Sequence, residues 1–107
     1  MFGQVGSLRL TGALLSVVLL LPAARAEDAL LARNLAAGCS TCHAGAAPSE
    51  LRPLAGLPTA LIRQRLAEFK SGQAASATVM PQIAKGYSDA QLILIANFFA
   101  AQPVATR

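Results

Sequence analysis

This 107-residue chain has no tryptophan, one tyrosine, one histidine and two cysteines. Each shortage excludes something. Nine Lys/Arg face five Asp/Glu, with no basic cluster and few aromatic rings to stack on bases, so nucleic-acid binding has no support. Two cysteines cannot build a disulfide framework. Their only possible bridge, Cys39–Cys42, closes a loop too short to constrain the unfolded chain usefully. A single histidine rules out any two-histidine site. No strand-length alternation bounded by turn residues occurs, and no segment repeats at a fixed period.

Long apolar runs are confined to the N-terminus. Arg9 precedes "LTGALLSVVLLL" (residues 10–21), and "AARA" ends with Ala24 and Ala26 in an A-x-A pattern. Charge, apolar segment and small residues in that order predict a secretory signal peptide over residues 1–26, cut between Ala26 and Glu27. Twelve apolar residues rise only about 18 Å as a helix, short of a hydrocarbon core of about 30 Å. No stable membrane insertion is therefore expected after cleavage. The expected location is the periplasm, with residues 27–107 as one domain carrying seven basic and five acidic residues. A domain this small needs a staple beyond its own core.

Within that domain the pattern is helical. "DALLARNLAAG" (28–38) predicts a helix with Leu30, Leu31 and Leu35 on one side and Asp28 favouring its positive end. Two prolines and two glycines mark 44–56 as a loop. "LPTALIRQRLAEFKSG" predicts a second helix, with Pro58 in the first turn, Gly72 at the stop, and Leu61, Ile62, Leu66 and Phe69 inward. "SGQAASATVMP" predicts another loop. Ser88 and Gln91 form a capping-box pattern that opens a helix over 89–101, with Leu92, Ile95, Ala96 and Phe99 as its core face, supplemented by Leu94 and Phe98. The expected fold is all-α: three main helices whose long loops wrap around something.

The stretch "AAGCSTCHAG" holds both cysteines and the histidine. A closed zinc site needs four ligands, and Cys39, Cys42 and His43 supply three at most. A thioredoxin-like dithiol needs a βαβ framework that the pattern lacks. The remaining meaning of C-x-x-C-H in an exported chain is covalent attachment of one c-type haem. Cys39 and Cys42 are spaced to add to its two vinyl groups, and His43 is placed to ligate the iron.

The sixth ligand follows by elimination. Beyond Met1, which the cut removes, the only methionine is Met80, 37 residues past His43 on the Met–Pro loop. Without a haem, a lone methionine is most simply a gap-filling core residue. With one, His43/Met80 ligation raises the potential and leaves no open position for substrate, which suits electron transfer. Pro81 is expected to stiffen the loop. Arg52, Thr78, Lys85 and Tyr87 are candidates to meet the haem propionates, and Phe69, Phe98 and Phe99 to pack on the ring.

With "CSTCH", an "LAG" loop and a Met–Pro loop, the chain resembles class I c-type cytochromes over nearly all of residues 30–102. "FKSG" and "TVMPQIAKGYSDAQLILIANFFAAQ" are most similar to the cytochrome subunit of flavocytochrome c sulfide dehydrogenase. The resemblance implies a small cytochrome c fold with crossing first and last helices and a partly exposed haem edge. It implies an electron-transfer protein, not an enzyme on its own, that accepts electrons from an FAD-containing sulfide-oxidising subunit and passes them to a downstream cytochrome. A free carrier for another respiratory or photosynthetic chain, and a small haem enzyme with an open sixth site, are the alternatives. The chain departs from the family at Ala44, where a glycine is usual, and in the shortened loop that follows. It also departs at "RPLAG", where Pro53 stands one place later than in P-x-L-A-G. In the family that proline's carbonyl steadies the ligand histidine. The carbonyl that does so here is open at the level of sequence.

Overall fold

A computed structural model describes Gly3, residues 11–44 and residues 51–104, with side chains from Arg25 onward. Arg9 and the part of the expected 44–56 loop at 45–50 lie outside the described residues. Among those residues the chain is all-α, without strands: α1 (Thr11–His43), α2 (Thr59–Ser71), α3 (Met80–Ala84) and α4 (Asp89–Ala100). None of these helices is long and apolar enough to cross a membrane.

The helix expected over 28–38 extends both ways. Toward the N-terminus α1 takes in the expected cleavage point, and toward the C-terminus it runs through the C-x-x-C-H motif. Its core side matches expectation only at Leu35, which is half-buried and packs on the core. Ala32 and Ala36 are buried, whereas Leu30 and Leu31 are 59% and 45% exposed. Ala36 of α1 and Ala96 of α4, neither with any exposed surface, share one buried cluster where these two helices meet.

Helix α2 begins after Pro58, which takes the cap position just ahead of the expected first turn. Gly72 ends it in the left-handed region at φ 80°, and the Gln73 N–H returns to the Glu68 carbonyl at 3.0 Å. Ile62 and Leu66 are buried, while Leu61 and Phe69 are half-buried. Helix α4 starts on the expected box: Gln91 N–H donates to Ser88 Oγ at 3.1 Å, and Ser88 N–H to Gln91 Oε1 at 2.9 Å. Leu92, Ile95, Ala96 and Phe99 are all buried, as the spacing predicted.

Helix α3 lies where a loop was expected to run into Pro81. Pro81 sits in its first turn, where the missing N–H costs no hydrogen bond, and the ring is buried. Five residues are too few for a helical period to show in the sequence.

The segment before α2 is fastened to the end of α4. Gly56 has φ +74°, its N–H donates to the Phe99 carbonyl at 2.9 Å, and a Cβ there would collide with Val104 Cγ2. Val104 is exposed and can turn away, so the backbone term dominates. Gly56→Ala is expected to lower stability by about 1–2 kcal/mol, read as a lower denaturant midpoint at constant slope.

Candidate cofactor cavity

A helical backbone through "CSTCH" spaces Cys39, Cys42 and His43 at i, i+3 and i+4, which is one stripe on one face. That face borders a cavity of about 500 Å³, closed on its other sides by the 51–57 loop, α2, α3 and Ile95 of α4. The lining is overwhelmingly apolar, with leucines from the loop and from α2, and Phe69. Its size falls among pockets that take organic ligands, roughly 300–1,000 Å³. Cys39, Cys42, His43 and Met80 all border this one cavity. A second hollow, about 430 Å³ and more open, lies between α2 and α4 with Arg63, Gln64 and Asp89 on its walls. None of the motif residues reaches it.

The thiols are poorly placed for redox or nucleophilic work. Both are free, Cys39 half-buried and Cys42 exposed. Burial pushes the Cys39 thiol up, and the neighbouring Cys42 adds a smaller push in the same direction. Reactive C-x-x-C pairs sit at helix N-termini, where the dipole favours the thiolate. These occupy the last turn of α1, the negative end. Nor do three metal-binding side chains converge on one point among the described residues. Both the dithiol and the zinc readings lose ground here.

The His43 ring is anchored from behind. Its Nδ1 lies 2.8 Å from the Arg52 carbonyl oxygen. A carbonyl only accepts, so Nδ1 carries the hydrogen, and in the neutral ring that leaves Nε2 with the lone pair for a ligand bond. The acceptor is therefore position 52, where P-x-L-A-G has its proline, although the residue there is arginine. Met80 approaches from another element, as the first residue of α3, half-buried with a soft neutral thioether.

Among the four polar candidates, Arg52 borders the cavity, whereas Thr78, Lys85 and Tyr87 are not in its lining. Tyr87 packs against the core, its hydroxyl facing α1 at Gly38, where an added Cβ would sit 3.6 Å away. Sequence reasoning passed over Arg65, which also borders the cavity and pairs with Glu68 at 2.9 Å. Hydrogen bonds from Gln64 first, then Arg65, hold the Glu68 carboxyl below its ordinary range. Leu51, Val79 and Ile83 were passed over as well; all three border the cavity and remain exposed. Nothing in their spacing marks them, because a loop and a short helix bring them together.

No family model matches the chain, and no curated protein matches it.

Proposed function

We propose that this chain is a periplasmic electron-transfer protein holding one covalent c-type haem. The observation that carries the reading is the convergence of Cys39, Cys42, His43 and Met80 on a single apolar cavity of about 500 Å³. The donors suit the group: two thiols one turn apart on one helix face, an imidazole with Nε2 free, and a thioether from a separate element. A haem bound there supplies one-electron chemistry at its iron.

The chain's own residues do the rest. Cys39 and Cys42 are the thiols that would keep the group attached. His43, held by the Arg52 carbonyl, and Met80 are the residues that would ligate its iron, leaving no site for substrate. Leucines and Phe69 exclude water and keep the local dielectric low. Residues 1–26 serve as a leader that is removed on export. The electron donor proposed from the sequence resemblance is an FAD-containing sulfide-oxidising subunit, with a cytochrome downstream. Exposed Leu51, Val79 and Ile83, with Arg52 beside them, offer an apolar contact at the cavity mouth for such partners.

Periplasmic expression with haem-attachment machinery, followed by denaturing electrophoresis and haem staining, tests the reading. One haem per chain should survive denaturation. A colourless band from cells that attach haem to a control cytochrome would sink it.

A further inference from the structure

The bond between His43 Nδ1 and the Arg52 carbonyl joins two segments that the helix does not hold together. His43 ends α1, whereas Arg52 lies in irregular chain ahead of α2. Neither Arg52 nor Pro53 takes part in a turn, loop or cap backbone hydrogen bond among the described residues. The direction of the carbonyl therefore needs another cause. Proline supplies one, because its ring clashes with the preceding residue's N–H and Cβ and drives that residue out of the helical region into extended backbone.

We propose that Pro53 is the positioning residue for the His43 imidazole. It restricts the ψ angle of Arg52, ψ sets where the Arg52 carbonyl points, and the carbonyl fixes the ring. The arginine side chain has no part in this device; only the backbone oxygen does. Displacement of the proline by one place thus changes its task, from furnishing the acceptor to aiming the acceptor of its neighbour. The consequence for iron rests on the haem reading above. An imidazole that donates from Nδ1 is a more basic ligand, so the bond favours the ferric state and lowers the potential.

The test uses the haem-loaded, ferrous protein with ¹⁵N-labelled histidine. In Pro53→Ala the Nδ1 proton should exchange with solvent at least about tenfold faster, and the potential should rise. Arg52→Ala keeps the carbonyl and Pro53, and should leave the exchange rate as in wild type. Leu54→Ala loosens the same loop without touching the Arg52–Pro53 bond, and should accelerate exchange less than Pro53→Ala. Wild-type exchange in Pro53→Ala, or equal acceleration in Leu54→Ala, overturns the inference. The unmodified protein gives a check that needs no variant: scalar coupling across the hydrogen bond must run from Nδ1 to the Arg52 carbonyl carbon. Coupling to any other carbonyl overturns the assignment. Wild-type protein without haem brings down the function proposed above; haem-loaded protein with unaltered exchange in Pro53→Ala brings down this inference alone.

Discussion

On the haem reading proposed above, alanine at both Cys39 and Cys42 yields a protein that gives up the group on denaturation and, once stripped of it, holds no native fold. The first half follows from chemistry, since no other thiol exists to make a thioether. The second follows from the core. Among the described residues nine hydrophobic side chains are buried, and four of them are alanine. Against so little burial stands a cavity of about 500 Å³. Emptied, it leaves its apolar walls facing solvent, and that burial is lost to a domain whose whole stability is about 5–15 kcal/mol. Circular dichroism and dye binding on the stripped double variant should show partial helix, exposed apolar surface and no cooperative thermal transition. A sharp transition near the wild-type temperature would mean that the protein's own side chains suffice.

The second large effect belongs to Met80. In Met80→Ala the ferric charge-transfer band at the red end of the visible spectrum should vanish, while covalent attachment through Cys39 and Cys42 persists. The potential should fall by on the order of 0.2 V, a fraction of the roughly 0.8 V that axial ligands span. The iron should also bind added imidazole or cyanide more readily. Loss of the fold is not expected, because Met80 is only half-buried and opens a helix of five residues that keeps Pro81 and Ala84 buried. An unchanged spectrum would show that another group holds the sixth position. Absence of the band in the wild type would favour a haem catalyst with an open site.

Much of this arrangement was legible in the sequence, and the remainder was hidden for physical reasons. The α4 core face could be read because Leu92, Ile95, Ala96 and Phe99 follow a strict period and Ser88–Gln91 marks the start. The cavity residues Cys39, Cys42 and His43 stood out because their residue types are used nowhere else in the chain. The α1 face was read only in part because hydrophobicity favours Leu30 and Leu31 along with Leu35, whereas the fully covered positions are Ala32 and Ala36. A pattern records how apolar a position is, not how close the neighbouring helix comes. Arg65 escaped notice because an arginine on an amphipathic helix looks solvated until the helix is docked. The acceptor for His43 was open for a related cause: a backbone oxygen has no signature of its own, and only the neighbouring proline hints at its direction.

The α1–α4 crossing also sets how this domain must be assembled. Ala36 and Ala96 belong to one buried cluster but stand roughly sixty residues apart in the chain, a closure costing about 3.6 kcal/mol in loop entropy. That cost falls due before small methyl groups can repay much of it. An up-and-down helical bundle of equal length forms its contacts between neighbours in sequence and zips from any turn. Here α1 has only α4 to dock on, so a fragment ending before α4 leaves Ala36 without its cluster, whereas residues 59–100 carry the other six members of it and the α2–α4 contacts.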